Sequence, residues 1–205
     1  MSEFNLMPFQ DFPFNGDVLT EREFLKLRDK FNVINVIETG SCIFTTTRWF
    51  SENFENVYTF EINTDFYNHG MQKVSDKTNI SAHNCNSIDG LKMISSLIKG
   101  GTIFFLDAHW GENCPLLEEI NEISKFEIDP IIAIHDFKTD NVNLGFDTYD
   151  NRHFDLNFIN DSLTKVYPNG YDYYYNNEAV GAMRGLIYIL PKTNSRYINR
   201  RIVGI

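Results

Sequence analysis

The chain has 205 residues, 42% of them hydrophobic, and it contains 18 phenylalanines and 10 tyrosines. A chain of this size can bury about 70% of the surface that its unfolded form exposes, so we expect residues 1–205 to form one domain with an aromatic core. The net charge of −10 argues against an extended nucleic-acid groove, because such a groove neutralises phosphates with lysine and arginine. A small-molecule partner fits this charge better.

The cysteines and the lengths of the apolar runs indicate the compartment. The cysteines are Cys42, Cys85 and Cys114, which lie far apart and include no CxxC pair. This pattern argues against a disulfide framework and against a thiolate zinc site. The sequence opens with no basic and apolar leader, and no apolar run nears the ~20 residues needed to cross a bilayer. We therefore expect a cytoplasmic protein that does not enter a membrane.

The N-terminal region divides into an arm and a helix. Residues 1–18 contain several phenylalanines and two prolines without a regular period, which predicts an irregular arm. The following sequence TEREFLKLRDKF predicts a helix, in which Thr20 and Glu23 have the spacing of a capping box. Phe24 and Leu27 belong to its apolar stripe.

Five short apolar runs then alternate with longer segments of helical character. The runs are NVINVIE, NVYTFE, NISAHN, TIFFLD and IIAIHD. The predicted helices between them cover 44–54, 64–77, 87–99 and 115–126. Because the runs are continuously apolar, they predict parallel strands covered on both faces, in a doubly wound α/β sheet.

The pattern changes after Asp136. Residues 137–154 form a polar segment rich in asparagine and aspartate, which we interpret as a loop and a candidate lid over a site. A helix is predicted around DLNFINDSLTKVY. The runs YDYYY and GLIYILP predict a closing pair of strands, with an antiparallel strand near residues 185–190.

Acidic residues close four of the five apolar runs. These acids are Glu38, Glu61, Asp107 and Asp136, while the third run closes on Asn84. The carboxyl ends of parallel strands share one edge of a sheet, where ligands bind in the crevice at the switch point, so these side chains are expected to meet. Each acid taken alone could instead cap the following helix. Carboxylates gathered in one crevice repel one another and call for a partner with hydroxyls, a cationic centre or a metal.

The first crossover, ETGSCIFTTTRWF, indicates which chemical groups that partner carries. Gly40 suits a tight turn after the first strand, and Ser41 leads into a helix whose free N–H groups can bind an anion. Glu61 closes the second strand about twenty residues later, where an acid often binds a ribose diol in such folds.

Together the motifs VIETGSCIFTTTRWF, VYTFEIN, NCNS, IFFLDAHW and IIAIHDF resemble those of small class I S-adenosylmethionine-dependent methyltransferases. The resemblance covers about residues 20 to 191 and implies a Rossmann-like, seven-stranded sheet whose last hairpin is antiparallel. It also implies roles for particular residues. Those near the methionine part of the cofactor would be Glu38, Gly40 and Ser41, with Glu61 at the ribose and with Asn86 and Ser87 beside the adenine.

The first loop departs from that family at two positions. Cys42 and Phe44 stand where the family usually has more glycine. The Phe44 ring could pack between helix and sheet, or it could occlude the cofactor site. Both interpretations stay open at the level of the sequence.

The fourth and fifth strand ends supply the predicted chemistry. Asp107, His109 and His135 are candidates for removing a proton from the acceptor, although each histidine could equally be a hydrogen-bonded supporting residue. By the resemblance, Asp107 and Asp136 could share a divalent ion. Two carboxylates and water would suit Mg²⁺, whereas imidazole ligands favour a softer metal.

These patterns favour methyl transfer from S-adenosylmethionine to an oxygen or nitrogen of a small molecule, with sugars among the acceptors considered. One alternative is a non-catalytic binding or scaffold protein with this fold. Another is a metal-dependent enzyme that does not use S-adenosylmethionine. The sequence has no Asn/Asp-Pro-Pro-Tyr motif after the fourth strand and no GxxxxGK motif, which argues against methylation of the amino groups of nucleic-acid bases and against P-loop nucleotide hydrolysis.

Overall fold

The structure, a computed structural model of the chain, describes residues 9–109 and 114–192. The helices in these ranges are α1 (Val18–Phe31), α2 (Thr45–Asn53), α3 (Thr64–Lys73), α4 (Ser87–Ile94), α5 (Leu116–Ile123) and α6 (Leu156–Val166). The strands are β1 (Val33–Thr39), β2 (Asn56–Phe60), β3 (Ile80–His83), β4 (Gly101–Leu106), β5 (Ile131–His135), β6 (Thr148–Tyr149), β7 (Arg152–His153), β8 (Tyr171–Tyr175) and β9 (Leu186–Pro191).

Seven of the strands form one sheet in the order β3-β2-β1-β4-β5-β9-β8. The five strands from β3 to β5 pair in parallel, whereas β9 runs antiparallel to both of its neighbours, β5 and β8. This arrangement confirms the predicted doubly wound, mainly parallel, seven-stranded sheet with an antiparallel strand near its end. The chain order reverses between β1 and β4, so the switch-point crevice lies at the carboxyl ends of these two strands.

Helices cover both faces of the sheet, which explains why the strand sequences are apolar without alternation. Every residue of β5 is buried, as is every residue of β4 after its first glycine. One face packs against α1 and α2 through an aromatic cluster that includes Phe24, Phe50 and Phe105. The other face packs against α4, α5 and α6 through residues such as Phe104 and Leu163.

The predicted helices that follow β2, β3 and β4 extend too far at their C-termini. The structure ends them at Lys73 rather than 77, Ile94 rather than 99 and Ile123 rather than 126. The reason is the same each time: a single turn, closed by a hydrogen bond between residues three apart, follows the helix and leads into the next strand. No helix in the described ranges combines the length and the apolar character that a membrane span requires.

The first helix begins earlier than predicted. The Asp17 carboxylate caps α1 by accepting hydrogen bonds from the Leu19 N–H (3.0 Å) and from the Thr20 hydroxyl (2.9 Å). The predicted capping box of Thr20 and Glu23 is therefore wrong. An acid three residues before Thr20 supplies the cap, so Thr20 becomes a buried residue of the helix.

The predicted arm, residues 1–18, is described only in part, because residues 1–8 lie outside the described ranges. Residues 9–17 are irregular apart from a 3-10 turn at Pro13–Gly16. Phe14 is nonetheless buried, with its ring centroid 5.0 Å from that of Phe24. The end of the arm is thus attached to the aromatic core against α1.

Backbone hydrogen bonds fix the loop over residues 137–154 at several points. The Gly145 N–H donates to the Met183 carbonyl (2.8 Å), and the Gly185 N–H donates to the Gly145 carbonyl (2.9 Å). The Asp147 N–H donates to the Asp136 carbonyl at the end of β5 (2.9 Å). The short hairpin β6–β7 lies between these hydrogen-bonded residues and α6. The role of residues 137–154 as a lid stays a prediction.

Gly40 allows the backbones at the ends of β1 and β4 to lie side by side. Its φ is +77°, and a Cβ there would lie 2.4 Å from the Asp107 carbonyl oxygen. Gly100 also has a positive φ, +83°, but the nearest contact of a Cβ would be the flexible Ile34 side chain at 3.2 Å. We expect Gly100→Ala to cost about 1 kcal/mol and Gly40→Ala clearly more, at least about 2 kcal/mol, in free energy of unfolding.

Urea unfolding followed by circular dichroism measures both losses. Equal losses in the two variants would mean that the backbone contact between Gly40 and Asp107 does not constrain the fold.

Candidate active site

The crevice is built where the carboxyl ends of β1 and β4 meet. The Asp107 N–H donates to the Thr39 carbonyl (3.1 Å), which extends the ladder beyond the last residue of β4. Gly40 then turns the chain away from the sheet, and its own N–H donates to the Phe60 carbonyl at the end of β2 (3.0 Å). The first loop is thereby fixed between the ends of its two neighbouring strands.

Glu38 lies within β1 rather than at its end, and it is only 1% exposed. One oxygen of its carboxylate accepts hydrogen bonds from the hydroxyls of Thr47 in α2 and of Thr59 in β2 (2.7 Å for the latter). The hydroxyls of Thr59 and Ser41 are also 2.7 Å apart. Burial raises the pKa of Glu38 to about 7, and the two hydroxyls oppose that rise. Sequence reasoning did not identify Thr47 or Thr59 as its partners.

Glu61 is 6% exposed and binds the first loop directly. Its Oε2 accepts a hydrogen bond from the Cys42 N–H and its Oε1 accepts one from the Asn63 N–H, both at 2.7 Å. Burial raises the pKa of Glu61, while these backbone donors lower it. The Ile62 backbone also lowers this pKa by hydrogen bonding, so three of the roughly four acceptor sites of the carboxylate are engaged.

The two unusual residues of the first loop have packing roles. Phe44 is fully buried with φ +62°, and its ring lies against Gly70 of α3, where a Cβ would come within 2.4 Å of the ring. Its ring centroid is 5.8 Å from that of Tyr67, edge to face. Burial raises the pKa of the Cys42 thiol to about 11, so this thiol stays protonated near neutral pH. The Phe44 ring therefore packs against α3, while occlusion of the cofactor site, the other interpretation, stays a prediction.

Asn86 and Ser87 lie at the start of α4, beyond the end of β3. The side-chain oxygen of Asn86, Oδ1, caps the helix by accepting a hydrogen bond from the Asp89 N–H (2.9 Å). The side-chain amide nitrogen of Asn86 donates to the Asp89 carboxylate (2.6 Å). Ser87 is buried beside Glu119 of α5. Both residues therefore sit at the crevice edge, but the Asn86 side chain already serves α4 itself.

The residues predicted from the fourth and fifth strand ends form one cluster. The His135 Nδ1 lies 3.1 Å from an Asp107 oxygen and 3.4 Å from an Asp136 oxygen. The His109 Nε2 lies 3.2 Å from the same Asp136 oxygen. Both imidazoles are buried, whereas the side chain of Asp107 is 25% exposed. The topology thus joins the two motifs LDAHW and AIHDF into a single site.

Electrostatic effects within the cluster favour the charged forms. Burial lowers the pKa of His109 and of His135, but the carboxylates of Asp107 and Asp136 more than offset it, so both pKa values are raised. Burial raises the pKa of Asp136, yet the two imidazoles hold it well below its ordinary value. The site therefore favours a charged Asp136 carboxylate beside protonated imidazoles.

Sequence reasoning missed two residues near this cluster, Arg184 and Glu119. Arg184 donates from Nε to Asp136 and from Nη2 to Asp147, and it thereby links the turn before β9 to the loop after β5. A signal for Arg184 did exist. Since β9 is antiparallel and pairs Leu186 with His135, Arg184, two residues before β9, must lie at the carboxyl end of β5.

Glu119 was also missed, although an acid in the apolar stretch LLEEI was a signal. This residue of α5 is 1% exposed, and its Oε1 has no hydrogen-bond partner among the described residues. Burial raises its pKa, while the nearby hydroxyls of Ser87 and Thr39 lower it. Glu119 lies beneath the crevice as an acid whose protonated form is favoured.

Comparisons with known proteins bear on the fold. No protein-family model matches the chain, and no curated protein matches it. Among solved structures, the O-methyltransferase TomG from Streptomyces achromogenes, in complex with S-adenosylmethionine, has a TM-score of 0.61 at 10% identity, over 84% of this chain and 79% of that one. An O-methyltransferase from Bacillus cereus, in complex with S-adenosylhomocysteine, has a TM-score of 0.59 at 15% identity, over 89% and 85%.

A third similar structure is the N-terminal domain of EvdMO1 in the presence of S-adenosylhomocysteine and D-fucose. Its TM-score is 0.56 at 10% identity, over 84% of this chain and 80% of that one. Together with the strand order, these likenesses show that the chain has the Rossmann-like fold of class I S-adenosylmethionine-dependent methyltransferases.

The buried Glu38 carboxyl yields a second prediction. Its folded-state pKa of about 7 lies above the ordinary 4.5, so its contribution to stability is present below pH 4.5 and is lost as the pH rises through 7. The loss is on the order of 3 kcal/mol. Glu38→Gln does not titrate, so its free energy of unfolding should lack this decline.

Urea unfolding between pH 4.5 and 8 tests this expectation. Glu127→Gln is the matched control, because the Glu127 side chain is 87% exposed, and it should keep the parental decline. Parallel profiles for Glu38→Gln and the parent would show that Glu38 is ionised in the folded protein throughout.

Proposed function

We propose that this protein transfers a methyl group from S-adenosylmethionine to an oxygen or nitrogen of a small molecule. The observation that carries the proposal is the cluster of Asp107, His109, His135 and Asp136, which opens beside the first loop of a sheet with the methyltransferase strand order. In this arrangement a group that accepts protons lies next to the crevice where such a fold binds its ligand.

The first loop and its neighbours would hold the methyl donor. Glu61 would accept a hydrogen bond from a ribose hydroxyl at its remaining acceptor site, and its bonds to Cys42 and Asn63 fix the carboxylate in place. Glu38, with Gly40 and Ser41, would lie at the cationic methionine part. Asn86 and Ser87 would lie at the adenine.

S-adenosylmethionine supplies an electrophilic methyl group on a sulfonium. The residues of this chain then act on the acceptor. Asp107, the partly exposed acid of the cluster, would accept the proton that the acceptor oxygen or nitrogen loses, while His135 donates a hydrogen bond to the Asp107 carboxylate and keeps it oriented. Holding the acceptor in line is worth about 7–11 kcal/mol of the barrier.

A divalent ion such as Mg²⁺ is a further part of the proposal. The ligand atoms of Asp107, His109 and Asp136 lie within 4.8 Å of one another, a spacing that fits one ion. These three residues would hold it, and the charge of the ion would attract an acceptor rich in oxygen. The transfer of the acceptor proton to Asp107 does not depend on the ion.

The acceptor is proposed to be a small molecule rather than a nucleic acid, because the net charge of −10 opposes binding of a phosphate backbone. Sugars are the class to test first, since the carboxylates and imidazoles of the cluster can bind several hydroxyls, and one similar structure was determined with D-fucose. The segment 137–154 is the proposed lid, and a cytoplasmic location stays a prediction.

A non-catalytic binding or scaffold role is the second candidate, because Glu61 and the Cys42 N–H already satisfy one another. Calorimetric titration with S-adenosylmethionine and S-adenosylhomocysteine separates the possibilities. Binding supports methyl transfer. A folded protein that binds neither would favour the scaffold role, or, if it binds a metal and turns over another substrate, a metal-dependent enzyme without this cofactor.

Glu61 provides a direct test of the cofactor site. Glu61→Ala should weaken binding of S-adenosylhomocysteine by about 1.5–3 kcal/mol, the value of a hydrogen bond to a charged group. Asn63→Ala is the control, because it removes the side-chain cap of α3 beside Glu61 and should lower stability while leaving affinity close to that of the parent. A folded Glu61→Ala variant with parental affinity would remove Glu61 from the site.

Asp107 provides the test of the chemistry. With S-adenosylmethionine carrying a labelled methyl group and a panel of sugars, phenols and amines, Asp107→Asn should lower the rate of labelling by about 10²–10⁴-fold, the usual contribution of a general base. Its affinity for S-adenosylhomocysteine should stay within a few-fold of the parent. Asp172→Asn on the exposed part of β8 is the matched control. Parental rates in Asp107→Asn would reject the proposed base.

A further inference from the structure

Arg184 occupies the part of the cluster that borders the solvent. Its side chain is 28% exposed, and its guanidinium donates from Nε to Asp136 and from Nη2 to Asp147. A planar guanidinium presents its N–H donors in a fixed fork, so it can bind two carboxylates at once in this way. One cation therefore lies between two acids that belong to different segments of the chain.

The backbone holds Arg184 in this position. The residues on either side of it are hydrogen-bonded to Gly145: the Met183 carbonyl accepts from the Gly145 N–H, and the Gly185 N–H donates to the Gly145 carbonyl. A Cβ on Gly145 would come within 2.7 Å of the Arg184 Nη1, so the loop lies directly against the guanidinium. Arg184 is thus a positioned part of the site and not a mobile surface arginine.

The carboxylate oxygens around Arg184 are all engaged. Asp136 presents one oxygen to Arg184 and the other to the ring nitrogens of His109 and His135. Asp147 presents one oxygen to Arg184 and the other to the Tyr149 hydroxyl at 3.2 Å. A divalent ion that binds Asp136 must therefore do so against the charge of a cation already bound to the same carboxylate.

We propose that Arg184 acts as a built-in counter-cation that competes with divalent metal ions for the carboxylates of the cluster and so sets a low metal affinity for the crevice. The inference deepens the proposed function by addressing its metal requirement. It rests on the proposed function for the use of the site, but metal binding can be measured without turnover and without S-adenosylmethionine.

The test is a calorimetric titration of Mn²⁺ into the parent and into three variants. Arg184→Met keeps the length of the side chain and removes the charge, so it should bind Mn²⁺ at least about tenfold more tightly than the parent, with a matching rise in melting temperature. Arg48→Met is the control, because Arg48 pairs with Asp76 on an exposed surface away from the crevice, and it should behave as the parent does. Combining Arg184→Met with Asp136→Asn should abolish the gain.

Equal Mn²⁺ affinity in the parent and in a folded Arg184→Met variant would overturn the proposal, as would the same gain in Arg48→Met. If Arg184→Met does not fold, Arg184→Gln replaces it. Its amide can still donate hydrogen bonds but carries no charge, so affinity should still rise, and an unchanged affinity would overturn the proposal. If the parent does not bind S-adenosylhomocysteine, the proposed function is rejected. The Mn²⁺ titrations of the parent and of Arg184→Met still test the role of Arg184.

Discussion

The site depends on the close approach of two backbones at Gly40. This residue turns the chain out of β1 while the Asp107 backbone passes so near that no side chain would fit between them. The same turn brings the Cys42 N–H within reach of Glu61 and places the first loop beside the cluster at the end of β4. If the ends of β1 and β4 were farther apart, the carboxylates of the two halves of the crevice could not share one ligand.

Buried acids surround this point, and each is compensated by a different means. Threonine hydroxyls solvate Glu38, backbone N–H groups solvate Glu61, and imidazoles together with a guanidinium neutralise Asp136. Glu119 has the least compensation, with one oxygen unpaired. Because uncompensated buried charge is costly, such a concentration is hard to explain by stability alone and is typical of a site that binds or transforms a ligand.

The fold was predictable to the level of its class, its seven-stranded sheet and the direction of the strands, but not to the order of the strands in the sheet. Continuous apolar runs separated by amphipathic segments indicated a parallel sheet, and the closing pair YDYYY and GLIYILP indicated the antiparallel end, as the structure confirms. Helix ends were less predictable, because a single turn after α3, α4 and α5 has the same polar composition as a helical surface. The start of α1 was missed because Asp17 and Thr20 are both good caps, and only the structure shows that the Asp17 carboxylate accepts the Leu19 N–H.

The sequence by itself determined that the acids and histidines of LDAHW and AIHDF would lie together, because parallel strands present their carboxyl ends at one edge whatever the details of packing. Only the tertiary structure decided how these groups are partnered. Arg184 reaches Asp136 from 48 residues away, and the Cys42 N–H reaches Glu61 from 19 residues away. Such contacts depend on loop paths and on the antiparallel entry of β9, and no local periodicity encodes them. The position of a residue along a parallel strand determines which edge of the sheet it occupies, whereas the packing of distant segments determines which charge it meets there.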